Sequence, residues 1–261
     1  MNVGTPVHKW ADMLEACIAE SGVAIVDRVA VFAETLSTQD TARRMASGKP
    51  GVLVVTSHQS QGRGRLGRSW LDHPDHSLAM SIATDAHRFT PAFLSLAVGV
   101  ALVRACGSML PEDTLGLKWP NDLVERKSGR KLAGILIEGS GGLAVVGIGV
   151  NVTHSEAQLR SAGLSSAASL VELGASTERI AVAQRVLVEI DQAVRQGESE
   201  LMRTWRERDT LTGTHGSFLH DGSRYDGVIE AIEPTLTLVV RTRTGIHRLP
   251  ALSTSLVAPE L

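Results

Sequence analysis

Two folds compete for Gln59-Ser60-Gln61-Gly62-Arg63-Gly64-Arg65-Leu66-Gly67-Arg68-Ser69-Trp70. The segment follows an evident strand, residues 51–57, and its glycines spell G-x-G-x-x-G, with Asp85 about 20 positions on. Behind a strand, that spacing is the fingerprint of dinucleotide binding on a doubly wound parallel sheet. The fingerprint requires the glycines to open a helix. Residues 68–76, RSWLDHPDH, are poor helix material with Pro74 inside. Long side chains at Arg63 and Arg65 also stand where bare backbone must press on a pyrophosphate. The dinucleotide fold therefore ranks low, and residues 58–76 read as a loop.

The loop's composition suits a polyanion. Three glycines let the backbone turn tightly and expose its N–H groups. Arg63, Arg65 and Arg68 add forked, permanently charged donors, and triphosphate is the obvious match. Trp70 is placed to cover an aromatic base or the loop itself. Taken alone, the segment is equally a solvated basic loop.

Outward from the loop, strands and helices alternate without repeats. Trp10, Met13, Leu14, Cys17 and Ile18 mark an amphipathic helix over 5–21, with Thr5 and Pro6 at its start and Gly22 at its end. A strand over 23–33 and a short helix from Ser37 to about Gly48 lead into strand 51–57. Beyond the loop come a strand at 77–84 and a helix from Thr90-Pro91 to about Met109. Strands follow at 114–118, 132–138 and 143–150. Two short helices are expected between 155 and 173, a longer one at 177–196, and a short one around Trp205. After residue 210 the pattern changes to short strands at 215–220, 224–232, 236–242 and 245–249, with turn signals at Asp221-Gly222 and Thr244-Gly245. This predicts two domains, 1–210 and a small all-β barrel over 211–261.

Three further segments carry candidate chemistry. In Lys118-Trp119-Pro120-Asn121-Asp122, a strand ends at the proline and presents a polar pair, where Asp122 suits a Mg²⁺ bridging phosphates. An Asx turn is the ordinary alternative. Lys131-Leu132-Ala133-Gly134-Ile135-Leu136-Ile137-Glu138 is a buried strand with Lys131 at its mouth, and Gly134 hints at close approach by a ligand or another backbone. In Gly147-Ile148-Gly149-Val150-Asn151 the alternating glycines clear one strand face for a flat apolar ligand, and Asn151 ends the strand.

Composition narrows the class. A net charge of −2 gives no basic excess of the kind expected of a nucleic-acid binder. Hydrophobic residues at 43% with only 3% aromatics imply a large, mainly aliphatic core. Cys17 and Cys106 lie far apart and form neither a disulfide framework nor a metal motif. The chain shows no signal-peptide pattern and no apolar run of membrane-spanning length, so a cytoplasmic protein is expected.

In chain order, Ser37-Thr38, the G-R-G-R-x-G-R loop, K-W-P-N-D, K-L-A-G-I-L and G-x-G-x-N together resemble the catalytic domain of biotin–protein ligases, over roughly residues 30–261. The resemblance implies an α+β fold: a mixed sheet flanked by helices, related to class II tRNA synthetases, with a small SH3-like C-terminal barrel. It implies an enzyme that makes biotinyl-5′-AMP from biotin and ATP with Mg²⁺. The biotin then passes to a lysine of the biotin carboxyl carrier protein of a biotin-dependent carboxylase. Ser37, Thr38, Gln39, Gln59, Gly62, Arg63, Lys131, Gly134, Gly147 and Gly149 would line the biotin site. Arg65, Arg68, Trp70, Asn121, Asp122, Lys131 and Asn151 would serve ATP, with Asp122 on the metal and Lys131, Arg63 and Arg65 as catalytic charges.

The sequence departs from the family pattern in two places. Gln39 follows Ser37-Thr38 where the pattern has asparagine, and Ala167-Ala168-Ser169-Leu170 lacks a threonine near the adenine pocket. About 30 residues precede the match, too few for a helix-turn-helix domain, so no specific DNA binding is expected. No membrane contact is expected, and a homodimer is compatible with an exposed sheet edge. The alternatives are a lipoate or octanoate ligase or transferase of the same fold, and a non-catalytic protein that binds biotinyl-AMP.

Overall fold

The computed structural model describes residues 4–71, 74–233, 237–250 and 253–257. Seven strands form the main sheet: β1 Arg28–Thr35, β2 Val52–Gln59, β3 Ser77–Asp85, β4 Leu115–Lys118, β5 Asp122–Glu125, β6 Lys131–Ser140 and β7 Leu143–Asn151. Their order is β1-β2-β3-β7-β6-β5-β4. Only β1 and β2 run parallel, joined through α2, Thr38–Ala46; the other neighbours are antiparallel. The sheet is therefore mixed, as the resemblance implied.

Alternation along the strands divides the sheet into two faces. On one, Leu53, Val55, Met80, Ile82, Val146 and Ile148 join the large core under α3, Pro91–Gly107, and α5, Arg179–Ala193. On the other, Val52, Val54, Ala83, Leu143 and Val145 pack against Ala42 and Ala46 of α2. Helix α3 is apolar nearly all round because it lies between the sheet and α5. Thr90 caps it by accepting a bond from the Phe93 amide, and Pro91 takes the first turn, where a missing N–H has no cost.

The remaining helices are α1 Trp10–Ser21, α4 Glu156–Ser161 and α6 Glu198–Arg208. The second sheet is antiparallel, of β8 His215–His220, β9 Ser223–Glu233, β10 Thr237–Thr242, β11 Gly245–Pro250 and β12 Ser255–Val257, in the order β11-β10-β9-β8-β12. Asp221 (φ 46°) and Gly222 (φ 73°) make the tight β8–β9 turn, where left-handed backbone suits the strand twist. Among the described residues β11 and β12 do not pair, so this is an open sheet rather than the closed barrel the sequence suggested.

Other differences have local causes. The first strand begins at Arg28 instead of 23, because the Ala24 and Ile25 amides are both held by buried Asp191 of α5, at 2.7 and 2.8 Å. Between 155 and 173 only α4 forms. The segment after it runs beside β6, with Lys131 N donating to Ser166 O and Ala168 N to Lys131 O. Strand β5, read from sequence as a turn end, pairs with β4 so that Lys118 faces Asp122.

Candidate active site

Sheet register assembles the site. Directly paired residues on antiparallel strands share a face. Lys118 pairs with Asp122, Asp122 with Gly134, Gly134 with Gly149, and Gly149 with Ala79. Three motifs far apart in sequence thus lie in one transverse row. The next row sets Leu136 opposite Gly147 and Gly147 opposite Ser81. The glycines belong to the α2 face, one and two strand repeats beyond Val145, where that face's apolar packing stops.

These rows floor a cavity of about 710 Å³. Ser37, Thr38, Gln39, Gln59, Lys131, Gly134, Gly147 and Gly149 line it, together with Arg63, Arg65, Arg68, Trp70, Asn121 and Asp122. Gly62 and Asn151 are not in its wall. Gly62 serves the loop: its carbonyl accepts from the Trp70 amide, and a Cβ there would stand 2.5 Å from Trp70 O. Asn151 is buried, with its amide donating to Ala168 O at 3.1 Å and Lys131 O at 3.4 Å. It ties the mouth of β6 to the 167–168 segment.

The face cleared by glycine carries two of the chain's own side chains. The Trp70 indole lies on Gly149, where an added Cβ would be 2.4 Å from Cε2, and Gln39 lies on Gly147, its Cδ 2.9 Å from such a Cβ. A flat ligand on Gly149 has to share the face with the indole or move it. Lys131 Nζ stands 5.6 Å from the Trp70 ring centroid and forms an ion pair with Asp122 Oδ1 at 2.6 Å.

The arginines divide into two kinds. Arg63 forks Asp40 of α2, at 2.5 and 2.8 Å, and reaches Glu138 of β6 at 3.3 Å. The Asp40 carboxylate raises the Arg63 guanidinium's affinity for its proton, and Arg63 in turn holds the Asp40 carboxyl below its ordinary range. With its charge offset by two carboxylates, Arg63 latches the loop to α2 and β6 while lining the cavity. Arg65 sits deeper. Burial lowers its pKa, with Asp122 opposing and Arg68 adding to the shift, and its guanidinium stays charged at neutral pH.

Thr38 is built into the floor: its N–H and hydroxyl face Gln59 Oε1 at 3.3 and 3.4 Å, and Ser81 Oγ donates to Thr38 Oγ1 at 2.8 Å. The Asn121 side chain donates to Ile135 O at 2.7 Å while the Asn121 backbone carbonyl accepts from Ile135 N at 2.9 Å, which fixes the turn beside Asp122.

Residues 31–154 match the biotin/lipoate A/B protein ligase family. A biotin–[acetyl-CoA-carboxylase] ligase of Mycobacterium tuberculosis is 35% identical over 196 residues, which cover 70% of this chain and 71% of that protein. The chain belongs to the biotin/lipoate A/B protein ligase family. Within it, the bifunctional ligase/repressor BirA of Bacillus spizizenii is 27% identical over 228 residues, covering 82% of this chain and 69% of its own. The biotin protein ligase of Aquifex aeolicus, solved in complex with biotin and ATP, superposes with a TM-score of 0.75 at 25% identity, over 88% of this chain and 99% of that one.

Sequence motifs of the family did not point to one whole wall of the cavity, which comes from the second sheet and includes His215, Thr254 and Ser255. Short alternating strands carry no local sign of what they face. Asp40 and Glu138 were also missed, though Glu138 closes the K-L-A-G-I-L-I-E string on the glycine side of β6.

Proposed function

We propose that this ligase activates biotin with ATP and transfers it to a lysine of a carrier protein. The observation that carries the reading is the row Lys118–Asp122–Gly134–Gly149, which sets a glycine-lined sheet face, shared with the Trp70 indole, beside charged groups for phosphate. In the first step a biotin carboxylate oxygen bonds to the α-phosphorus of ATP, and the bond to pyrophosphate breaks. The carboxylate is already ionised near neutral pH, since an unperturbed carboxyl titrates at about 4, so no general base is required. The barrier is repulsion between anions, and preorganised positive charge is what lowers it. Arg65, Arg68 and Lys131 line the cavity and would supply it.

Among the described residues a single carboxylate, Asp122, stands on the wall, and it suits a Mg²⁺ carried mainly by triphosphate and water. When bound, that ion would add positive charge at the phosphates. In the second step the carrier lysine's neutral amine attacks the biotinyl carbonyl, the carbon–oxygen bond to phosphate breaks, AMP leaves with the electron pair, and the amine gives up one proton to water as the amide forms. The arginine loop, latched by Arg63, would keep water from the adenylate.

The same reading assigns catalysis to residues 1–210 and treats 211–261 as a second domain that walls the cavity. Its partner is the biotin carboxyl carrier domain of a carboxylase, its compartment the cytoplasm, and β1 is an edge at which two copies could pair. Incubation with ATP, biotin and an unmodified carrier domain should yield one biotin adduct on one carrier lysine, detected by mass spectrometry. A lipoyl adduct from lipoate in place of the biotin one, or an adduct formed without ATP, would overturn the reading.

A further inference from the structure

The main sheet forks at the cavity. Strands β2 and β3 pair from Val52–Ala83 to Thr56–Ala79 and then part. Beyond that point β2 stays beside β1 as far as Gln59, while β3 begins at Ser77 beside Asn151 of β7. The arginine loop leaves from one prong and returns to the other. Gln59, at the tip of the first prong, faces Thr38 in the cavity floor. One side chain spans the fork. Arg179, the first residue of α5, donates through Nη1 to Ser57 O at 2.9 Å and Ser57 Oγ at 3.1 Å, and through Nη2 to Asp75 Oδ1 at 3.0 Å. The Asp75 end is tied down as well: Asp75 O accepts from Thr153 Oγ1 at 3.2 Å, and His76 O accepts from the Val152 and Thr153 amides at 3.0 and 3.1 Å. The Arg179 side chain is 11% exposed, with its guanidinium 4.9 Å from the centroid of the Trp10 ring. Glu178 fastens that cover by accepting from the Thr5 amide and hydroxyl, and Trp10 Nε1 donates to Thr5 O. A guanidinium suits the place because its donors diverge to two targets, whereas an ammonium is a point charge. Arg179, Ser57 and Asp75 do not line the cavity.

We propose that Arg179 is a positioning residue for adenylation: by bridging Ser57 and Asp75 it fixes the spacing of the two ends of the arginine loop, and with it the placing of Arg65, Arg68 and Trp70 at the cavity. The proposal rests on the biotin reading for its substrate. It goes beyond that reading by giving a task in the reaction to a residue behind the sheet, on the face that carries α5 and not on the one that carries the glycines. Breaking the bridge lets the prongs part, and an adenylate held under the loop escapes sooner.

Two variants of the full chain test this. Arg179→Lys keeps the charge under Trp10 but reaches only one prong. Asp75→Gly removes the carboxylate and tolerates the left-handed backbone there, φ 66°. The first readout is trypsin cleavage without ligands, followed site by site by mass spectrometry. Cleavage at Arg65 and Arg68 should speed up about tenfold, as the open population rises by one lost charge-assisted hydrogen bond. Cleavage at Arg243, exposed in the β10–β11 turn, should not change. The second readout is release of preformed biotinyl-5′-AMP in the absence of carrier, which should also be about tenfold faster. The double variant should match either single one, because both changes break the same bridge. A merely structural Arg179 would lower the melting temperature and leave release from the folded protein unchanged; that result would overturn the assignment. A wild-type chain that forms no adenylate from biotin would overturn the biotin reading and the adenylate step of the proposal together, while the cleavage comparison would still decide whether the bridge holds the loop.

Discussion

Asp40 receives Arg63 and Arg43 at once, and its depressed pKa comes first from the Arg63 hydrogen bond. A carboxyl depressed in the folded state stabilises it at pH above the unfolded value of roughly 3.9, and that contribution fades as pH falls through the folded value. Asp40→Asn should therefore lower the melting temperature by about 2 °C at neutral pH, as expected of a part-exposed ion pair. The gap should close in scans taken progressively below pH 4. A gap that widened in acid would contradict the latch. Lys131 is the other decisive residue. Lys131→Ala should cut adenylate formation by about a hundredfold or more, in line with losing one preorganised charge, with a melting temperature near that of the wild-type chain. Lys131, Asp122 and the arginines, which line one cavity, were marked in the sequence because their motifs are specific in combination. The partners of Arg63 and Asn151, Asp40 and Ala168 O, were not, since identity does not reveal which distant group a side chain meets.

Most elements were legible where a rule is local. Thr90-Pro91 announced α3, and the structure shows the hydroxyl bonded to the Phe93 amide at 3.2 Å. Thr90→Ala should cost about 1 kcal/mol, read as a lower urea midpoint at unchanged slope; an unchanged midpoint would mean that the cap is idle. Strand β5 escaped because four residues after a proline turn carry too little periodicity, and only pairing with β4 and β6 makes them a strand. The start of β1 escaped for the opposite reason: residues 23–27 look like strand, but Asp191, 167 residues away, captures the Ala24 amide. Local propensity yields to such long-range bonds.

At the scale of the molecule, the short-stranded unit was readable from the change of period after residue 210, the family resemblance supplied the mixed sheet under helices, and the strand order came only with the structure. Period alone did not show that the second sheet walls the cavity or that, among the described residues, its end strands do not pair with each other. The assembled site implies one chemical signature, reversible adenylation of biotin. The most direct test is exchange of labelled pyrophosphate into ATP by the full chain, with biotin and lipoate run in parallel. Exchange with biotin and not with lipoate is the expected result. Exchange with lipoate alone, or none with either acid by demonstrably folded protein, would contradict it.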